Sequence, residues 1–293
     1  MSLVKSLSVG NGDMFYIRHG SDNFSIIDCC LSDDNKKRIV DELLAESAQK
    51  TITRFISTHP DEDHVQGIEH LDARMPIANF YCVKNVATKD DETGSFKHYC
   101  SLRDGSKAFY VTKGCTRRWM NQTSDERGSA GINILWPNPG NPDFKAALQE
   151  AADGVAFNNT SLVTTYSAAN GARMMWLGDL ETEFMKNIKD DIKLTPIHIV
   201  FAPHHGRHSG KIPDSWLDKL KPKIIVIGEA PARHLHYYTG YKALTQNTAG
   251  DLTFDCADDG KVHIYASEVS YNVDYLSWES QSKYNYYVGT LNI

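Results

Sequence analysis

Ser57-Thr58-His59-Pro60-Asp61-Glu62-Asp63-His64-Val65-Gln66-Gly67 places His59, Asp61, Asp63 and His64 within six residues, directly after the apolar run Arg54 to Ile56. A loop leaving a strand end can aim His59 and Asp61 at one cation while Asp63 and His64, at the start of a helix, reach a second. Imidazole and carboxylate are both ordinary donors to divalent ions. A solvated acidic turn would account for this segment alone, but two later segments are built the same way. In Trp176-Leu177-Gly178-Asp179 a carboxylate follows an apolar strand, and in Phe201-Ala202-Pro203-His204-His205-Gly206 a histidine pair does. Ligands in α/β sheets gather outside the carboxyl ends of strands, so the three segments are expected to converge on one edge.

The surrounding chain supplies the strands and helices this needs. Val4 to Val9, Met14 to Arg18 and Phe24 to Asp28 alternate, separated by Gly10-Asn11-Gly12-Asp13 and Gly20-Ser21-Asp22, which predicts a β-meander. Ile39, Val40, Leu43, Leu44 and Ala48 recur at helical spacing behind a cap at Ser32 or Asp33. Strand then alternates with helix: Thr53 to Ser57 with Val65 to Leu71, Arg173 to Leu177 with Glu181 to Ile188, and His198 to Ala202 with Pro213 to Leu220. Further strands are expected at Lys223 to Ile227, Leu252 to Phe254 and Val262 to Tyr265. Mixed α/β is the class this implies. No Pro-rich or Gly/Ser linker divides the chain, so one domain is expected over residues 1–293. Residues 87–131 and 137–158 read as long loops or caps, and the Tyr-rich stretch 270–293 as an aromatic edge hairpin or a self-association surface.

Composition excludes several classes. The chain of 293 residues is 41% hydrophobic and 23% charged, as in a soluble globular protein. Its apolar runs, such as that around Ile224 to Ile227, fall far short of the roughly 20 residues of a membrane span. The N-terminus lacks the features of a signal peptide, which makes the cytoplasm the expected compartment. Lys plus Arg number 31 against 37 Asp plus Glu, a net charge of −6, which excludes coating nucleic acid by bulk positive charge. The six cysteines show no C-x-x-C spacing and read as reduced thiols. Several of the twelve histidines sit beside aspartates, and function is expected there.

His-x-Asp-x-Asp-His at 59 to 64, followed by Gly67, resembles the second motif of the metallo-β-lactamase superfamily, in the variant where Asp replaces the middle His. That variant is similar to the hydrolase domain of ComEC competence proteins. Val9-Gly10-Asn11-Gly12-Asp13 resembles the opening V-G-Q-G-D of that family, Ile26-Ile27-Asp28 its I-L-I-D strand end, and Asn158-Asn159-Thr160-Ser161-Leu162-Val163 its N-N-x-S-L-V. Gly178-Asp179 and Pro203-His204-His205-Gly206 follow in order. The resemblance implies a metallo-β-lactamase-like four-layer αββα sandwich with two divalent ions, Zn or Mn, between the sheets. It implies that His59 and Asp61 hold one ion and Asp63 and His64 the other, that Asp179 bridges, and that one of His204 and His205, with His205 favoured, completes the second ion's shell. Asp28 would support the metal-binding loop from behind, and Asn158 or Asn159 would stand as a weak ligand where the superfamily has a third-motif histidine. Where the family tends to have Gly-His-Pro, this chain reads His234-Leu235-His236-Tyr237.

Two divalent ions about 3.5 to 4 Å apart can hold a bridging hydroxide at neutral pH, so a hydrolase is expected. Asp61 makes the centre oxygen-rich, favouring harder ions such as Mn²⁺ without excluding Zn²⁺, and suits a phosphodiester substrate. Asp63 can also orient the nucleophile, while His236, His208 or His234 can protonate the leaving oxygen. Arg207, His208 and Lys211, with Lys113, Arg117 and Arg118, are candidate phosphate contacts. The expectation is a phosphodiesterase or nuclease acting on nucleic acid or another phosphodiester, free of the membrane, with partner proteins of a bacterial system or a homo-oligomer as further associations. A hydrolase of a small ester or phosphoester (phosphocholine ester, cyclic nucleotide, lactone) is the alternative, followed by a non-catalytic binding module.

Overall fold

The computed structural model describes every residue except Asp258, Ser282 and Asn285, and Ala232 by its backbone only. The strands are β1 (Ser2–Ser6), β2 (Phe15–Arg18), β3 (Asn23–Ile27), β4 (Cys29–Cys30), β5 (Ile52–Ile56), β6 (Phe80–Cys82), β7 (Ala108–Tyr110), β8 (Ile132–Trp136), β9 (Val163–Ser167), β10 (Arg173–Trp176), β11 (Ile199–Phe201), β12 (Ile224–Ile227), β13 (Ala243–Thr245), β14 (Leu252–Ala257), β15 (Lys261–Ala266) and β16 (Tyr287–Asn292). The helices are α1 (Lys36–Ser47), α2 (Glu62–Val65), α3 (Ile68–Arg74), α4 (Gly94–Asp104), α5 (Pro142–Ala152), α6 (Thr182–Asn187), α7 (Asp214–Leu220) and α8 (Gln246–Ala249).

A nine-stranded sheet runs β16, β15, β14, β1, β2, β3, β5, β6, β7, and a six-stranded sheet runs β13, β12, β11, β10, β9, β8. In the first, β3, β5, β6 and β7 are parallel. In the second, β10 to β13 are parallel. The loops after β3, β5, β10 and β11 therefore leave from carboxyl ends, where ligands gather in sheets of this kind.

Alternation of side chains along each strand sorts the first sheet's residues into two cores. Val4, Phe15, Ile17, Ile27, Ile56 and Tyr81 join a core with residues of the second sheet. Their neighbours Leu3, Tyr16, Phe24, Ile26, Phe55 and Phe80 pack instead against Ile39, Val40 and Leu43 of α1, Ile68 and Leu71 of α3, and Phe96, Tyr99 and Leu102 of α4. Between the sheets, Phe15 meets Phe201 and Trp176 with ring centroids 4.9 and 6.0 Å apart, and Trp176 stacks on Phe201 at 4.7 Å. On the far side of the second sheet, Trp136 packs edge-on against Phe144 of α5 and Phe184 of α6. Helix, sheet, sheet, helix is the four-layer αββα sandwich expected.

The segments read as loops depart from that expectation. Residues 87–131 contain α4, whose Thr93 side chain caps Phe96 N, and β7. Residues 137–158 contain α5, capped by Asn141 and opened by Pro142. Both helices bury a narrow stripe (Phe96, Tyr99, Leu102; Phe144, Ala147, Ala151) beneath a polar outer face, and the polar composition hides that stripe. The Tyr-rich stretch ends in β16, an edge strand paired antiparallel with β15. Among the described residues no helix is long and apolar enough to cross a membrane.

Candidate metal centre

Short hydrogen bonds lace the four loops together. Asp28, in a left-handed conformation (φ 57°), accepts from Thr58 N at 2.7 Å and Thr58 Oγ1 at 2.6 Å. Thr58 O accepts from Leu162 N at 3.1 Å, Ser161 Oγ accepts from Asp179 N at 2.9 Å, and Gly178 O accepts from His204 N at 3.1 Å. His204 and His205 are both left-handed (φ 52° and 53°), a conformation that costs β-carbon residues energy and persists only where the surroundings enforce it. Gly206 (φ 84°) continues the turn, and a Cβ there would lie 2.5 Å from Ile227 Cγ2.

One donor atom from each of Asp13, His64, Asp179 and His205 lies within 4.8 Å of every other, and all four residues are buried. His64 Nε2 is 3.1 Å from Asp179 Oδ1. His205 presents Nδ1 to Asp13 Oδ1 at 3.2 Å and Nε2 to Asp179 Oδ2 at 3.6 Å. Behind the cluster, Asp28 Oδ2 accepts from His64 Nδ1 at 2.9 Å, fixing the ring so that Nε2 faces inward.

The titration of these groups is tightly interlocked. Burial pushes the Asp179 carboxyl up, but the imidazolium charges of His64 and His205 outweigh it and hold the group well below the usual carboxylate range. Burial lowers His205, yet Asp179 and Asp13 raise it to about 10. Burial and the neighbouring His64 charge take His59 down to about 4. Asp63, pushed up by burial, is brought down to about 2 by its hydrogen bond from His205 and by His64.

The buried atoms His59 Nε2, His64 Nε2, His205 Nδ1 and Asp179 Oδ1 crowd together without forming hydrogen bonds of proper geometry. Buried polar groups are normally satisfied, and imidazole nitrogens facing carboxylate oxygens form the donor set of a divalent cation. The residues therefore fit a metal.

The residues expected from the sequence divide into three groups. His64, Asp179 and His205 are in the cluster. His59 adjoins it, with Nε2 4.0 Å from Asp179 Oδ2, and Asp63 reaches it through the 3.2 Å contact with His205 Nε2. His204 sits at the rim, Nε2 3.9 Å from Asp179 Oδ2, its Nδ1 bonded to Ser209 Oγ. Asp61 is not brought into the cluster: it caps Glu62 N and pairs with Lys89 Nζ at 3.0 Å. Asn159 is held by both ends of its amide on Glu181, and Asn158, whose carbonyl accepts from Ser161 N, contributes no atom to the cluster. Among the cations, Lys113 bonds the carbonyl of Asp191, Arg117 stacks on Phe109 and Tyr81, and Arg118 lies over Trp119, whereas Lys211 pairs loosely with Asp214 at 3.5 Å.

Asp13 is the member not anticipated. It arrives because Gly12 presses so close that a Cβ would meet Cys30 Sγ at 2.4 Å and Asp63 O at 2.6 Å. Asp13 N then donates to Asp63 O at 3.2 Å. In sequence Gly10-Asn11-Gly12-Asp13 reads as a turn within the Val9 to Asp13 motif, without marking Asp13 as a donor; its second glycine is the trace of this docking.

Outside the cluster, His208, His234 and His236 ring Tyr237 at centroid distances of 4.9, 5.7 and 4.7 Å. A cleft of about 500 Å³ opens between the His204 to Ser209 turn and residues 231–234.

No family model and no curated protein matches the chain. Among solved structures it is similar to CmlA, a diiron β-hydroxylase from Streptomyces venezuelae, at 14% identity and a TM-score of 0.42 over 77% of this chain and 44% of that one. A long-form RNase Z from yeast aligns at 10% identity and a TM-score of 0.36, over 77% and 37% of the two chains. A putative diflavin flavoprotein A 5 fragment from Nostoc sp. PCC 7120 aligns at 13% identity and a TM-score of 0.31, over 65% and 71%. The chain thus spans less than half the length of the hydroxylase it resembles. These scores carry no functional argument, and the reading below rests on the geometry of this chain.

Proposed function

We propose that this chain is a divalent-metal-dependent phosphodiesterase or nuclease. The observation that carries the reading is the buried quartet Asp13, His64, Asp179 and His205, with four hydrogen-bonding atoms of the centre left unsatisfied. Bound divalent metal supplies water activation and neutralises charge on the attacked group. His64, His205, Asp179 and Asp13 would hold it, with His59 and Asp63 within reach of a second ion.

The remaining steps fall to residues of the chain. Asp63 is a quarter exposed and anchored by His205, so its free carboxylate oxygen can accept a hydrogen bond from incoming water and aim it at phosphorus. His204, at the rim, positions the Arg207 guanidinium through its Nε2. His208, exposed on the turn beyond it, can hold the proton the leaving oxygen requires. Arg207 spans from the histidine turn to Asn11 Oδ1 and offers donors on the solvent side.

The test is to strip the protein with chelator, reload it with Mn²⁺, Zn²⁺ or Fe²⁺, and assay bis(p-nitrophenyl) phosphate, single-stranded DNA, RNA, a phosphocholine ester and a lactone. Metal uptake with phosphodiester cleavage is the expected result. No uptake by elemental analysis, or turnover of the lactone alone, overturns the reading.

A further inference from the structure

Beside the metal centre lies a cleft bounded by His204, Arg207, His208, Ser209, Arg233 and His234 around Pro231. Among the described residues no carboxylate lines it, in a chain whose net charge is −6. Elsewhere many cations are neutralised by partners, as in Lys5 with Glu42, Arg127 with Asp22 and Lys283 with Asp255. Here Arg207 bonds only Asn11 Oδ1 and, at 3.4 Å, His204 Nε2, while Arg233 Nε lies 3.2 Å from His234 Nε2. Neither pairs with a carboxylate among the described residues. A guanidinium carries five N–H donors in a fork that matches phosphate oxygens, so most of that capacity is left unused by the described residues at the cleft's edge. His204 belongs both to the cleft and to the rim of the centre, so an anion seated there adjoins the group held by the metal. Tyr237 stands next to it, half-buried among three imidazoles.

Resting on the phosphodiester reading, we infer that this cleft binds the phosphate next to the scissile one on a single-stranded nucleic acid, with Arg233 as its clamp and Tyr237 as the face on which a base stacks. A cationic groove tracking the backbone beside an aromatic ring is the physical basis of single-strand binding. A duplex keeps its bases stacked inside and would leave Tyr237 without a role.

The test uses the metal-loaded protein and a fluorescein-labelled phosphorothioate oligothymidylate, which resists cleavage and keeps its charge. Arg233→Ala, a change on an exposed loop, is expected to weaken binding about fivefold or more at low salt and to reduce the slope of log affinity against log salt by about 0.7, the share of one phosphate contact on a single strand. Arg233→Lys should retain most of the slope, because the charge remains. Tyr237→Leu should weaken binding with the slope unchanged. The ratio of kcat/KM on oligothymidylate to that on bis(p-nitrophenyl) phosphate, which has a single phosphate, should fall about tenfold in Arg233→Ala. An unchanged slope and ratio in Arg233→Ala, or tighter binding of duplex than of single strand, overturns the proposal. If the wild type binds the oligomer through Arg233 yet cleaves no phosphodiester, the phosphodiesterase reading fails and the binding site stands. If it cleaves bis(p-nitrophenyl) phosphate while Arg233→Ala changes nothing, the reverse holds.

Discussion

Asp28 holds Nδ1 of His64 at 2.9 Å and thereby turns Nε2 of the same ring to within 3.1 Å of Asp179 Oδ1. The carboxylate also accepts from Thr58 N and Oγ1, so Asn at this position cannot reproduce all three bonds. Asp28→Asn should cost about 10- to 100-fold in metal affinity, the usual range for losing a group that orients a ligating histidine. Metal titration read by calorimetry checks this, and wild-type affinity in the variant would refute it.

Asp13 and Asp61 make opposite predictions. Asp13 contributes a donor atom to the quartet, whereas Asp61 caps α2 and pairs with Lys89. Asp13→Asn should weaken metal binding about 10-fold or more, by the scale on which metal-site residues act. Asp61→Asn should lose mainly a surface ion pair, about 0 to 1 kcal/mol of stability. Metal content after dialysis separates them, and greater metal loss from Asp61→Asn would restore Asp61 as the ligand.

Metal uptake should be strongly pH-dependent. His205 is raised to about 10 in the metal-free protein by Asp179 and Asp13, against the opposing effect of burial, so below that pH a cation must displace a proton to use this ring. Each pH unit lowered should weaken apparent affinity about tenfold per proton displaced. Titrations at pH 6, 7 and 8 in buffers of different ionisation enthalpy would count the protons, and none released would contradict the assignment.

A second pH effect should arise far from the centre. His19 is buried against Ser25, and burial, followed by the positive charges of Arg54 and Lys50, keeps its pKa well below 6.5. The unfolded chain takes up a proton below about pH 6.5 and the folded one does not. Stability should therefore fall with falling pH, by about 1.4 kcal/mol per unit for this one group. Urea unfolding of His19→Gln between pH 7 and 5 should show a shallower decline than wild type, and parallel declines would count against the idea.

The strand ends that bear the site were legible because ionisable residues crowd where an apolar strand stops, at His59 to His64, at Asp179 and at His204 to His205. Alternation along β1 to β3 made the opening strands legible, whereas the four-layer order came from the resemblance carried by the motifs. Asp13 was not legible as a donor, since its role is created by the contact of Gly12 with Cys30 and Asp63 O, a tertiary event with no periodicity. Asp61 stands outside the cluster for a similar reason: only the folded chain brings Lys89 to within 3.0 Å of it. The helices α4 and α5 carry capping residues, Thr93 ahead of Phe96 and Asn141-Pro142, yet charged and small residues between the apolar positions mask the spacing, so both segments read as long loops or caps.

Gly12 also seats a thiol at the edge of the centre. Burial, followed by the carboxylate charge of Asp63, pushes Cys30 up to about 12, so the sulfur beside the site stays protonated. A protonated thiol is a poor ligand and a poor nucleophile. No sulfur belongs to the cluster of Asp13, His64, Asp179 and His205, so its donor set is nitrogen and oxygen. In the metal-free protein the same protonation blunts attack by peroxide and by alkylating reagents, so the cysteine at the rim is shielded while the centre waits for its cation.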